Sequence, residues 1–323
     1  MIISRTPFRI SFAGGGTDLA SFYCDEPGAV VSSAIDKYMY VSAHPYFDER
    51  IMLKYSRTEL VDRVSEVRHP LVREAMRLVG VRRGIEIASM ADIAGGTGLG
   101  SSSSFTVGLL HALHAFKGEY VPAEQLAREA CLVEIERVKE PIGKQDQTIA
   151  AHGGFQFIEF LPNEEVRVSP IICSPRGLTR LHARLMLFYT GITRRAGSIL
   201  RRARARSKAN KRVLRGMRGL ADEARKRLQA GRADDFGRIL HEGWLMKRSL
   251  AEGVSTGGID RLYDRARRAG AVGGKILGAG GGGFLLLYAD PSKQEGVRRA
   301  MKGWREIRFR FEPEGSKIVY VSG

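Results

Sequence analysis

Hydrophobic and polar positions along the chain fall at first into short β-like runs: Phe8–Ala13, Ala29–Ile35, Met39–Ala43 and Ile51–Tyr55. Pro70–Val79 reads as a helix and Gly84–Ala88 as a strand. A glycine-serine segment comes next, continued by the apolar helix Phe105–Phe116. Pro122 lies near the start of a further helix to about Lys139, which Pro141 ends because a proline disfavours helical geometry in the residue before it. Asp146–Ala151 reads as one or two helical turns and Gly154–Phe160 as a strand. After a loop rich in Pro and Glu, Leu185–Tyr189 is a strand, and helices are expected over Arg195–Gln229, Asp234–Ala251 and Gly258–Ala269. The end alternates again: strands Gly274–Leu277 and Phe284–Ala289, helix Lys293–Gly303, then strands Ile307–Phe311 and Lys317–Val321. Texture changes from mixed to helix-rich near residue 180, which predicts domains 1–180 and 181–323. The order is that of an α+β protein, without the regular alternation of a doubly wound sheet.

Length and composition fit that reading. The 323 residues suffice for two domains or one bilobal unit with a cleft, and 43% hydrophobic with 27% charged residues describes a globular chain. No apolar run approaches the roughly 18–20 residues of a membrane span. The opening Met1–Arg9 lacks the apolar core of a secretory signal, so a cytoplasmic protein without a membrane partner is expected. Cys24, Cys131 and Cys173 are far apart and in no ligand spacing, which reads as buried thiols in a reducing compartment. His111 and His114 lie three apart on a helix with no further ligand cluster nearby.

The net charge of +17 changes the picture only locally. Arg201–Arg227 holds twelve Lys and Arg against Asp222 and Glu223. It contains no aromatic for base stacking and no binding motif, so a solvated helix face is preferred to a nucleic-acid footprint. A general attraction for small polyanions is the second reading.

Chemistry concentrates in three places. Gly95-Gly-Thr-Gly-Leu-Gly-Ser-Ser-Ser-Ser104 lies between a strand and a helix. Glycines bring bare N–H groups close to an anion, and the helix start adds unpaired N–H groups and the positive end of its dipole. The serines can cap the helix or reach a magnesium ion. No lysine stands where a P-loop needs one. Gly278-Ala-Gly-Gly-Gly-Gly283 has the letters of a dinucleotide fingerprint but opens into a strand, the wrong order. Next, Glu136 at a helix end and Asp146 beyond a Pro-Gly turn are candidates for a metal ligand and a proton acceptor. Finally, a strand with Arg9 runs into Gly14-Gly-Gly-Thr-Asp18, where Arg9 could pair with Asp146 and Asp18 could meet sugar hydroxyls.

Three ordered segments, Thr6–Asp18, Gly96–Ser103 and Lys275–Gly283, together resemble the GHMP kinases, the superfamily of galactokinase, homoserine kinase and mevalonate kinase. The resemblance implies a two-lobed fold with its site in the cleft, and ATP with Mg²⁺ as the required pair. It implies ATP phosphates on Gly95, Gly96, Thr97, Gly98, Leu99, Gly100, Ser101, Ser102 and Ser103, and magnesium on Ser102 and Glu136. Asp146 looks like the base and Arg9 its partner, with the third glycine loop, Gly280 and Gly281 included, closing over the reacting groups. Gly15 and Gly16 stand where galactokinase has two sugar-binding side chains, leaving room for a longer substrate beside Thr17 and Asp18. Lys144, Arg194 and Arg195 add positive charge for a substrate phosphate. This pattern looks like that of bacterial D-glycero-D-manno-heptose 7-phosphate kinases, which phosphorylate the anomeric hydroxyl. An anomeric kinase of free fucose, mannose or galactose is the nearest alternative, and a nucleic-acid binder using 201–227 a remote one.

Overall fold

The alternating start of the chain forms one long strand, β1 (Ile2–Ala13), buried from Thr6 onward. Beyond the short helix α1 (Ala20–Tyr23), β2 (Gly28–Pro45) pairs with it antiparallel. The two runs read separately as Ala29–Ile35 and Met39–Ala43 are thus one strand. Pro7 faces Tyr38 and Phe8 faces Ile35, so Asp36 and Lys37 are an irregularity inside a continuous ladder. The computed structural model describes residues 1–192, 199, 201, 202, 206 and 209–322. Arg194, Arg195 and much of the 195–210 portion of the expected basic helix therefore lie outside the described residues.

After β2 come β3 (Ile51–Lys54), β4 (Thr58–Val61), α2 (Pro70–Val79) and β5 (Ile85–Ala91). The helix α3 (Ser101–Phe116) has almost no polar face and is buried nearly all round against β1 and β2. Then come α4 (Ala123–Cys131), continued by a π-helical stretch Leu132–Arg137, α5 (Gln145–His152), β6 (Phe155–Phe160) and β7 (Val166–Pro170). The second half holds α6 (Pro175–His182), β8 (Leu185–Tyr189), α7 (Lys211–Gln229), α8 (Phe236–Ser249), α9 (Gly257–Arg268), β9 (Ala271–Ile276), β10 (Phe284–Ala289), α10 (Gln294–Ala300), β11 (Arg305–Glu306) and β12 (Lys317–Val321).

One sheet runs β12-β1-β2-β5-β3-β4, with β6 on the first half of β2 and β7 beyond it. The other runs β11-β8-β10-β9 and is antiparallel throughout. The last strand returns to the first sheet beside β1, so both chain ends belong to the same sheet. A single apolar cluster joins Phe8, Ile10 and Phe12 to Leu220, Phe236, Leu286 and Tyr288 of the second half. The two lobes are therefore held by a shared core, and the cleft between them has a fixed floor.

Several expectations are corrected. The span 307–311 is not a strand: Arg305–Glu306 pairs with β8, and Phe311 makes only an isolated bridge to Ile35. Its aromatic side chains pack instead on Phe12, Phe155 and His182 while the backbone crosses between sheets. The loop before residue 185 contains β7 and α6, whose start was legible: Ser174 Oγ accepts from Gly177 N and Pro175 takes the first helical position. Cys24 is exposed, and Cys131 and Cys173 are partly so. His114 lies between Glu119 and Glu129 while His111 bonds Ser316, and among the described residues no cluster of three metal-ligating side chains occurs. No described helix is long and apolar enough to cross a membrane.

Candidate active site

The glycine-serine segment comes after β5 and feeds α3. Among the described residues, no backbone N–H from Gly95 to Ser103 donates to a protein acceptor, and the first helical bond is Ser104 N to Gly100 O, 2.9 Å. The carbonyls are occupied: Leu99 O accepts from Arg9 N at 3.0 Å and Gly98 O from Arg9 Nη1 at 2.6 Å. Such a segment is a row of fixed donors at the positive end of a helix. Gly98 has φ of +87°, and a Cβ there would stand 2.6 Å from Leu277 O. Only glycine lets this loop touch the third one. Thr97 and Leu99 point inward and are buried.

A cavity of about 370 Å³ opens beside the loop. At its floor Arg9, 3% exposed, grips Asp146 with two bonds, Nε to Oδ1 at 2.7 Å and Nη2 to Oδ2 at 2.6 Å. Arg9 comes from β1 and Asp146 from the first turn of α5, so the pair joins a strand to a helix N-terminus. Asp18, buried beside them, accepts from Gly16 N at 2.9 Å. Burial, then the charge of Asp146, raises its carboxyl above the usual range. A side chain on Gly143 would overlap the Asp18 carboxylate, so the Pro-Ile-Gly turn exists to admit it. Ser11 Oγ bonds Gln145 Oε1 at 2.6 Å, and both line the cavity.

The acidic partner of the serines is Glu134, correcting the expectation of Glu136. Glu134 is fully buried and accepts from Ser102 Oγ at 3.1 Å, Ser103 Oγ at 2.7 Å, Thr106 Oγ1 at 3.0 Å and Gln147 Nε2 at 2.5 Å. Its carboxyl is pushed up to about 7 by burial, against those bonds. Glu136 is exposed. Residues two apart on a helix point to nearly opposite sides, and here the buried side carries Ala130, Val133 and Glu134. Ser102 Oγ and Glu134 lie together as a pair of hard oxygen donors, the kind that suits a divalent cation such as magnesium.

The opposite wall comes from the second half. Leu214, Met217, Leu250 and Val254 are apolar, while Lys247 and Lys275 are cationic. No motif in the sequence pointed to Lys247 or Glu134; a buried acid opposite several hydroxyls and a lysine at a helix end are visible only in three dimensions. The third glycine loop is docked by its own N–H groups, Gly281 N to Val254 O at 2.8 Å and Gly283 N to Ile192 O at 2.7 Å.

The cavity brings together Arg9, Gly15, Gly16, Asp18, Gly96, Gly98, Gly100, Ser101, Ser102, Ser103, Asp146 and Gly280 of the anticipated set. Gly95, Thr97, Leu99, Thr17 and Gly281 do not line it; Thr17 Oγ1 instead bonds Gly14 O and Ala29 O. Lys144 turns away to pair with Glu164 and lies over the Tyr23 ring, because residues two apart at a helix start point to nearly opposite sides. The room expected at Gly16 is partly filled, since a Cβ there would meet Leu214 at 3.3 Å. The basic helix α7 docks by charge on the first half, with Lys211 and Arg215 on Glu26 and Arg218 near Glu159.

Comparisons with known proteins identify the family and the fold. The family model for the GHMP kinases N terminal domain matches residues 62–154, and that for the GHMP kinases C terminal matches 224–305. A D-glycero-alpha-D-manno-heptose 7-phosphate kinase of Campylobacter jejuni is 30% identical, covering 98% of each chain. The crystal structure of a D-glycero-D-manno-heptose 1-phosphate kinase from Bacteroides thetaiotaomicron superposes with a TM-score of 0.84 over 100% of both chains at 24% identity. Lactococcus lactis galactokinase superposes at 0.75 over 98% of this chain and 94% of its own, at 18% identity. Both superpositions speak for the fold.

Proposed function

Since the chain belongs to the GHMP kinase family, we propose that it uses ATP to phosphorylate the anomeric hydroxyl of D-glycero-D-manno-heptose 7-phosphate, giving the 1,7-bisphosphate. The observation that carries the reading is Asp146, locked by Arg9, which also holds a loop whose N–H groups have no protein acceptor among the described residues. The N–H groups of the cavity-lining residues Gly96, Gly98 and Gly100–Ser103 hold the triphosphate, with the dipole of α3 behind them. The sugar oxygen attacks the γ-phosphorus in line, the bond to the β–γ bridging oxygen breaks to release ADP, and the hydroxyl proton passes to Asp146. Arg9 keeps the Asp146 carboxylate oriented, and Asp18 receives hydrogen bonds from sugar hydroxyls. Ser102 and Glu134 would hold a magnesium ion, which would supply charge neutralisation on the phosphate oxygens.

The substrate is read from the Campylobacter relative together with the cationic wall of the cavity. A coupled ADP assay over heptose 7-phosphate, heptose 1-phosphate, fucose, mannose and galactose tests it. We expect kcat/KM for heptose 7-phosphate to exceed that of every neutral hexose by at least about 10²-fold, the discrimination that polar recognition supplies. Faster turnover of a neutral hexose would assign the chain to the free-sugar kinases instead.

A further inference from the structure

The cavity is lined by three basic side chains, Arg9, Lys247 and Lys275, and three acids, Asp18, Glu140 and Asp146, yet among the described residues none of these acids pairs with either lysine. Lys275, on β9, is 4% exposed and donates to a single acceptor, Phe12 O at 3.1 Å. Lys247, near the end of α8, donates to Ile276 O at 3.0 Å and to Gly278 O. An ammonium has three donors, so Lys275 has two and Lys247 one left over, and both side chains line the cavity. Among the described residues neither lysine has a carboxylate at ion-pair distance. The acid whose charge Lys247 feels is Asp146, and both Asp146 oxygens are already committed to Arg9. Asp18 makes no hydrogen bond to either lysine, its carboxylate accepting instead from Gly16 N.

Burying an ammonium on carbonyls alone is costly, and the cost falls only when an anion arrives. All three basic side chains line the same cavity, and each burdens the others. Burial and then Arg9 push Lys275 down to about 7, and burial, Lys275 and Arg9 together push Lys247 well below its ordinary value. The lysines share the cavity with the Arg9–Asp146 pair, and Gly278, whose carbonyl Lys247 holds, approaches Gly98 of the glycine-serine loop.

We propose that Lys247 and Lys275 form a second anion subsite in the cavity, separate from the glycine-serine loop, which binds a phosphoryl group. Which group it receives rests on the reading of the substrate above. Either the γ-phosphoryl of ATP or the phosphate already on the sugar brings the required charge.

The test uses Lys247→Met, Lys275→Met and the charge-keeping Lys275→Arg in the full chain. Thermal unfolding is followed without ligand and with inorganic tripolyphosphate, and steady-state kinetics with ATP and sugar accompany it. The subsite predicts an unchanged or raised ligand-free Tm for the Met variants, because a buried unpaired charge has been removed. It also predicts that the tripolyphosphate-induced rise is at least halved, that kcat/KM falls about 10²–10³-fold, and that Lys275→Arg recovers part of both. A loss common to neutral and phosphorylated sugars marks the γ-phosphoryl; a loss confined to phosphorylated sugars marks the substrate's own phosphate. A lowered ligand-free Tm with the tripolyphosphate response and turnover retained makes the lysines struts on carbonyls and overturns the proposal. Should Lys275→Met not fold, Lys247→Met alone decides between these outcomes. Tripolyphosphate involves no sugar, so a wrong substrate assignment would show in the sugar panel and leave this result intact.

Discussion

The second and third glycine loops are alike in letters and opposite in use. Among the described residues, Gly95–Ser103 leaves every backbone N–H without a protein partner, whereas Gly281 and Gly283 of the third loop spend theirs on Val254 O and Ile192 O. The element that each loop enters decides the difference. The second enters a helix, whose first turn has no acceptor for its donors, and so exposes them to an anion. The third enters β10, where Phe284 N goes to Thr97 O and Gly283 O accepts from Thr190 N, so the loop is pinned as a wall. Glycine content permits close approach in both cases; the succeeding element determines whether the approach is to a ligand or to protein.

The sharpest way to test that division is at the acid between the loops. Asp146→Asn keeps the shape of the floor but removes the proton acceptor, and kcat should fall about 10²–10⁴-fold while ATP still binds. Unchanged turnover would return Asp146 to a structural role. Gly98→Ala attacks the contact between the loops, since its Cβ would strike Leu277 O and its φ is positive. Loop displacement of about 1 Å should cost on the order of 10²-fold in kcat/KM, and a Gly98→Ala enzyme with normal kinetics would show that the loops need not touch.

Smaller effects separate the residues around the loops. Glu134→Gln should raise the magnesium concentration for half-maximal activity about 10–100-fold, measured by titration at fixed ATP. For Lys275, the folded value near 7 lies below the ordinary 10.5, so the folded state resists protonation. Its cost to stability is in full force below about pH 7 and fades as the pH climbs toward about 10.5. The Tm advantage of Lys275→Met over wild type should therefore be largest near pH 6 and close by about pH 10; an advantage independent of pH would contradict a buried ammonium. Glu136→Gln, exposed and away from the serines, should change stability by no more than about 0.5 kcal/mol and leave the magnesium requirement as it was.

The chain order alone carried the family, the glycine-serine loop at a helix start and the α+β class, because each depends on local chemistry; the Arg9–Asp146 pairing, between residues far apart in the chain, was implied by the family resemblance. Glycines at a strand-to-helix junction have few other uses, and hydrophobic periodicity survives whatever packs against it. Three decisions lay beyond it. Whether Glu134 or Glu136 meets Ser102 depends on which side of a π-wound helix is buried, and spacing counted along the chain does not give that phase. Lys144 is close to Asp146 in sequence yet faces Glu164, while Lys247 comes from the other half of the chain and faces the site. The chain's return through β12 to β1, and the core shared by both halves, set the cleft in which these side chains meet. Sequence thus determined what the site is made of, and only tertiary packing decided which acids and lysines enter it, since contact across a cleft depends on facing direction and not on distance along the chain.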